Sequence, residues 1–329
     1  MFEITTMLAF LFFKEQKADV IVLETLLGGR LDATNIVAKP AISVITSIAL
    51  EHTHILGDTL EKIAKEKGGI IKKGCPVLCG PHVPHDVLRE CANEKEASKY
   101  YTCDDVLGEL TEVITDYDKE NARIAESALS ILQENGVIPK ITPEMIQQVV
   151  SKRPPCRFEL VESENGVKVI LDVAHNPPAM EYLIRKLIEQ YPNQKYRFVV
   201  GMSADKDLGQ CVRSILKVTS PSSIHIVEAQ HPRSAKIEDI LEIDSSLKDE
   251  GCFDLEDRSI TKQVLDALTK AKEKNEMLVV CGSVFLMAES REALGFDEPR
   301  DSDCIQQVAG ASIRAKNLHQ QENFGTNSK

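Results

Sequence analysis

Apolar positions along the chain follow two periods. In "MFEITTMLAFLFFKEQ" they recur at helical spacing over residues 4–16, and "DVIVLE" (19–24) follows as an unbroken run, the pattern of a strand buried on both faces. "PAISVITSI" (40–48) reads as a second buried strand, "TLEKIAKEKGGIIKKG" as a helix ending near its glycine pair, and "CPVLCG" as a third strand. Helical patterns over 118–136 and 142–152 precede the break "RPP". The rhythm then restarts with "FELVE", "VKVILDVAHNP", a helix through "AMEYLIRKLIEQY", "YRFVVGMS", a helix, "SIHIVEA", a helix and "MLVVCGSVFLM". This alternation predicts an α/β fold with parallel sheets in two units, 1–153 and 154–298, followed by a polar, aperiodic 299–329 read as a flexible tail.

Length supports the division, because 329 residues exceed the usual size of one domain. The formal net charge of −12 argues against a broad nucleic-acid surface, which needs a basic stripe. The nine cysteines are odd in number and scattered, which points to a reducing compartment such as the cytoplasm. Cys75, Cys79, His82 and His85 are residue types that zinc prefers, but only two residues separate the Cys and His pairs, so they read as ordinary strand and loop residues. The apolar N-terminal run lacks a basic start and a cleavage site and is too short to span a bilayer, so it reads as a packed helix.

The polar residues at predicted strand ends are the informative ones, since ligands of open parallel sheets collect beyond the carboxyl ends of strands. Glu24 ends one strand, Glu51 and His52 follow the next, and Asp172 and His175 end a strand of the second unit. A carboxylate and an imidazole at adjacent strand ends suit a divalent cation that also leans on phosphate oxygens, which suggests a nucleotide–metal site. Plainer readings stay open: "GGRLD" as a turn, Arg30 and Asp32 paired in solvent, and "KEKGGIIKKG" as a solvated helix face.

Seven strings, "VLETLLGGRLDATNIV", "ITSIALEHTHILGDTLEKIAKEKGGIIKKG", "ENARIAESAL", "RFEL", "LDVAHNP", "GMSADKD" and "CGSVFL", closely resemble the folylpolyglutamate synthase and dihydrofolate synthase family of the Mur ligase superfamily, up to about residue 298. The resemblance implies a central ATPase domain followed by a Rossmann-like glutamate-ligase domain. It implies an ATP- and Mg2+-dependent ligase that adds L-glutamate to dihydropteroate or a folate through an acyl phosphate. By position, Glu24 and His52 match the family's magnesium ligands. Lys67 matches its carbamoylated lysine, for which a partly buried amine is expected. Asn121, Arg157 and Asp172 match ATP contacts, and His175 falls beside them with a possible catalytic role. Phe2, Glu3, Leu31, Asp32 and Ala33 match the pterin-contacting positions. The resemblance further implies a nucleotide gripped by both units, whose closure excludes water.

The match also breaks. No glycine-rich phosphate loop of the "GTNGKGS" kind is present, and the family's first strand and serine metal ligand have no counterpart, so the chain is expected to be N-terminally truncated or a fragment. Thr25 and Leu26 stand where the family has a small residue and glycine, Glu51 where it has aspartate, and Cys156 where it has glycine. A catalytically inactive paralogue or fragment that binds a pterin or a partner chain is the alternative. A nicotinamide-dependent oxidoreductase lacks its G-x-G-x-x-G fingerprint. The sequence decides neither between the two acceptor types nor the oligomeric state. A mitochondrial location stays open should a targeting segment lie upstream.

Overall fold

The computed structural model describes residues 2–110, 116–150, 152–229 and 231–297; the predicted tail lies outside them. The chain divides into two units, Met1–Lys152 and Arg153–Lys329. Both are α/β.

In the first unit α1 (Phe2–Glu15) leads through an irregular segment to β1 (Ser43–Ile45), the single turn α2 (Thr53–Leu56) and α3 (Leu60–Lys67). There follow β2 (Pro76–Cys79), α4 (His85–Glu94), β3 (Lys99–Thr102), α5 (Cys103–Leu107), α6 (Tyr117–Glu134) and α7 (Pro143–Val150). The strands form a parallel sheet in the order β1-β2-β3, with Val44 opposite Leu78 and Leu78 opposite Tyr101. Ile63, Ala64, Val77, Cys79 and Leu88 fill the layer between sheet and helices. The apolar spacing of α3 and α4 accounts for this, since each turns one face inward and leaves its charges in water.

Two expectations fail here. Residues 19–24 form no strand: an apolar run becomes one only where an edge offers its backbone hydrogen bonds, and this run follows an irregular path without a ladder partner, with Val22 88% exposed. The helix expected over 4–16 does form, with Glu3 in its first turn and Lys14 in its last matching the helix dipole. It is not packed as expected, however. Thr6 is its buried residue, while Met7, Leu8, Leu11 and Phe12 are each more than half exposed.

The second unit comprises β4 (Glu159–Glu162), β5 (Lys168–Leu171), α8 (Pro177–Gln190), β6 (Lys195–Val200), α9 (Leu208–Leu216) and β7 (Ile224–Ile226). It continues through α10 (Ile237–Leu241), α11 (Ser245–Glu250), α12 (Ile260–Lys274), β8 (Glu276–Cys281) and α13 (Met287–Ala293). The sheet order is β4-β5-β8-β6-β7. All neighbours are parallel except β4, which pairs antiparallel with β5 and departs from the all-parallel expectation. The reason is local: the burial of β4 alternates as in an edge strand, with Leu160 half exposed, and the five residues 163–167 turn the chain straight back into β5. The central strands are buried on both faces, with Phe198, Val200 and Val279 against one helical layer and Val199, Leu278 and Val280 against the other. Among the described residues no helix is long and apolar enough to cross a membrane.

The second unit also buries a charge network. The Arg197 side chain is wholly buried, and its Nε donates to Glu276 Oε2 at 2.7 Å. Nη1 donates to Ser222 O and lies 3.0 Å from His225 Nε2, while His225 Nδ1 lies 3.2 Å from Gln263 Oε1. Arg197 has no acceptor, so Nε2 must accept and the proton sits on Nδ1. Burial, with Arg197 and Lys270 beside it, outweighs Gln263 and Asp266 and pushes the imidazole down to about 4. In the unfolded chain the same ring binds its proton near its ordinary value. The stabilisation is therefore complete above the unfolded value and is lost as pH falls towards the folded one, a change on the order of 3 kcal/mol. The free energy of urea unfolding should fall between pH 7 and pH 5, and His225→Gln should flatten that dependence; an equal slope in both proteins would refute the assignment.

Candidate active site

The opening loop of the first unit is built by close backbone approach. Arg30 N donates to Glu66 O at 2.8 Å, and its guanidinium pairs with the Glu66 carboxylate at 3.1 Å, not with Asp32. A Cβ on Gly29 would lie 2.7 Å from Lys67 O, and one on Gly69 would lie 2.3 Å from Arg30 Cα. The two glycines thus let residues 28–32 lie directly on the end of α3, beside Lys67. The Lys95 ammonium caps that end, donating to Gly68 O and Gly69 O. Lys67 itself is half-buried.

Asp32 is turned into its own loop. It accepts from Leu26 N, Leu27 N, Thr34 N and Thr34 Oγ1 at 2.6–3.2 Å and caps the turn Ala33–Ile36. Burial pushes its pKa up, but these bonds outweigh it and leave the carboxyl below the usual range. Leu31, next to it, is 80% exposed. Phe2 and Glu24 line one cavity of about 180 Å³ with Phe10, Phe13, Leu23 and Thr34. Glu3 lies beyond it, exposed on the first turn of α1, where backbone hydrogen bonding holds its carboxyl low.

His52 is exposed and left-handed, at φ +51°, and its carbonyl accepts from Ile55 N and Leu56 N to start α2. A non-glycine residue in that region is strained, which is a feature of functional positions. Among the described residues no three His, Cys, Asp or Glu side chains gather as a cation cluster. The four Cys and His residues weighed for zinc have other surroundings. Cys75 and Cys79 are buried, His82 Nδ1 meets Glu120 at 2.7 Å, and His85 Nδ1 meets Tyr100 OH at 2.8 Å. Asn121 is exposed one residue beyond Glu120 on α6.

In the second unit Asp172 follows β5 and organises a tight turn. Its Oδ2 accepts from Phe158 N at 2.7 Å and its Oδ1 from Ala174 N at 2.8 Å, while Val173 N donates to Cys156 O. Cys156 and Phe158 both have positive φ, +60° and +50°, so the exposed Arg157 is held between two left-handed residues. A glycine would adopt the Cys156 conformation without strain. Glu159 braces the turn from the other side, accepting from Cys156 N and taking a two-oxygen pair from Arg291 at 2.8 and 2.6 Å. His175 is exposed, with Nδ1 2.9 Å from Val173 O, immediately before the Asn176 cap and paired prolines that start α8.

Comparison with known proteins places this architecture. Residues 156–284 match the Mur ligase, glutamate ligase domain family. The chain is 30% identical over 321 residues to a dihydrofolate synthase/folylpolyglutamate synthase of Bacillus subtilis, covering 89% of this chain and 72% of that one. The chain belongs to the dihydrofolate synthase/folylpolyglutamate synthase family. A solved Yersinia pestis member complexed with AMPPNP and a Mn ion superposes with a TM-score of 0.68 at 31% identity, covering 90% of this chain and 71% of that one. An E. coli structure holding DHPP and ADP gives 0.62 at 29% identity, covering 86% and 68%.

Within this ligase family frame, sequence reasoning missed the Glu120–His82 pair, the Glu159–Arg291 brace and the buried Lys186 of α8, whose Nζ lies 4.8 Å from the Phe158 ring centroid. Only the "RFEL" string hinted at the second of these, since it contains Glu159. The close approach of Gly29 and Gly69 to their neighbours gives a direct test of the docked loop. Gly69→Ala should destabilise the first unit by about 1–3 kcal/mol, as overpacked sites do, and should expose residues 28–32 to limited proteolysis. Unchanged denaturation and cleavage would show that the loop is not seated there.

Proposed function

We propose that this chain acts as an ATP-dependent ligase that joins L-glutamate to a pterin-bearing carboxylate, either dihydropteroate or a folate. The observation that supports the reading is the Arg157 turn: two left-handed residues, the Asp172 carboxylate and the Glu159–Arg291 pair fix the backbone that carries one exposed arginine, beside the carboxyl end of β5. Such rigid presentation suits phosphate or ribose oxygens. Asn121 of the first unit is assigned to the nucleotide as well.

In this reading Glu24 and His52 hold the divalent cation. One carboxylate and one imidazole leave the remaining octahedral positions to water and phosphate oxygens, which fits Mg2+. A bound cation neutralises charge on the phosphate oxygens as the phosphoryl group moves. Lys67, half-buried at the end of α3 beside the docked loop, is assigned the carbamoylated role. Leu31 and Ala33 offer apolar contact to a pterin ring, while Asp32 shapes the loop that carries them. Phe2 closes the aromatic wall of the cavity that Glu24 enters, and Glu3 flanks it. His175 is assigned to hold or move a proton near the reacting carboxylate, a role its Nδ1 contact with Val173 O supports by orienting the ring.

The aromatic lining of that cavity also favours a second reading, a noncatalytic pterin binder. The two part in one assay of the full chain with labelled L-glutamate, MgATP and either dihydropteroate or tetrahydrofolate. Label transfer with matching ADP release is expected. Pterin binding without ADP release would leave the second reading in place. Arg157→Ala should weaken nucleotide affinity about tenfold to a hundredfold, the range for losing a charge-assisted hydrogen bond; unaltered MgADP binding by calorimetry would remove Arg157 from the site.

A further inference from the structure

At the carboxyl end of the first unit's sheet a buried carboxylate holds an exposed imidazole. Glu120, near the start of α6, is only 5% exposed, and its Oε2 lies 2.7 Å from Nδ1 of His82, whose side chain is 60% exposed. Among the described residues neither side chain has another hydrogen-bond partner. A buried carboxylate with one partner is costly, and an apolar residue would fill the position without that penalty. What the carboxylate does is fix the ring. Having no proton to give, it takes the Nδ1 hydrogen and leaves Nε2 of the neutral imidazole as an acceptor.

The backbone brings that acceptor to the face of α6 that carries Asn121. Past β2, Gly80 N donates to Ile45 O and His82 O accepts from Ile48 N, so residues 80–82 are tied to the carboxyl end of β1. A Cβ on Gly80 would lie 2.0 Å from Thr46 O and 2.8 Å from Ile124 Cδ1, so the bare glycine lets α6 sit directly on this strand end. Ile124 follows Glu120 by four residues and Asn121 by three, the spacings that share one side of a helix. Glu120 is buried there, and Asn121 is exposed at the rim.

We propose that His82 is a specificity-determining residue for the nucleotide base: its Nε2 accepts a hydrogen from the exocyclic amine of a 6-aminopurine whose edge Asn121 reads. The role rests on the assignment of Asn121 to the nucleotide. A carboxamide pairs with the 6-amino group and N7 of such a purine and uses one amine hydrogen. The second hydrogen needs an acceptor, which Nε2 supplies. A 6-oxopurine puts a carbonyl oxygen in that place, so two acceptors meet and the bond is lost. Glu120 is the positioning residue, since it sets which ring nitrogen bears the hydrogen.

Calorimetry of the full chain with MgADP and MgIDP, whose bases carry a 6-amino and a 6-oxo group, tests this. Wild type should prefer MgADP. His82→Ala, a change at an exposed side chain, should cut the ADP-to-IDP affinity ratio about tenfold, the upper range for one hydrogen bond. Glu120→Leu should lower the ratio with His82 intact, whereas Glu120→Gln, which still accepts from Nδ1, should keep it. Should Glu120→Leu fail to fold, the other two variants decide. An unchanged ratio in a folded His82→Ala protein overturns the role, as does an equal loss of both nucleotides, which a phosphate contact or a purely structural pair would give. Absence of MgADP binding by wild type overturns the nucleotide assignment itself, and this role with it.

Discussion

Two backbone N–H groups, Phe158 and Ala174, end on the single carboxylate of Asp172, and the candidate chemistry of the second unit depends on that arrangement. It helps to hold Cys156 and Phe158 in left-handed conformations that each disfavour a side chain. The strain is offset from below by the sheet, since Asp172 N donates to Val280 O on β8, and from the side by Glu159 and Arg291. The backbone at Arg157 is therefore held between two fixed neighbours, while its side chain is exposed to solvent.

The first unit reaches the same end by another means. Here no buried charge fixes the loop; glycines do, by letting two backbone segments touch. Residues 28–32 rest on the last turn of α3, and the pairing of Arg30 with Glu66 and the self-capping of Asp32 keep them there. The carboxylate of Asp32, at a position the resemblance assigns to pterin contact, accepts four hydrogen bonds from within its own loop, and Leu31 beside it is exposed. Glu24 and Phe2 meet in a common cavity although the intervening segment has no regular structure.

The α/β class, the strands of the second unit and three of its six described helices were legible in the chain, because buried parallel strands are continuous apolar runs and the longer helices carry an amphipathic period, whereas short helices such as α10, α11 and α13 span too few turns to show one. Family membership was legible as well, in strings such as "LDVAHNP" and "KEKGGI" whose residues serve turns, caps and close contacts. The run at 19–24 misled for a physical reason: apolarity reports a wish for burial, but strand formation also requires a neighbouring edge, which composition does not encode. The exposed α1 is the same lesson for a helix, since local propensity forms it and packing is a separate question.

What the sequence determined by itself is what depends on neighbours along the chain: periodicity, caps, glycine positions and the residue types of the candidate site. Only the tertiary structure decided which charges meet, because the partners lie far apart in sequence. Glu159 finds Arg291 132 positions away, Arg197 finds His225 and Glu276 on neighbouring strands, and Lys186 comes to rest under Phe158 through the packing of a helix on a sheet. Electrostatic energies depend on distance and burial in space, and neither is written in the order of the residues.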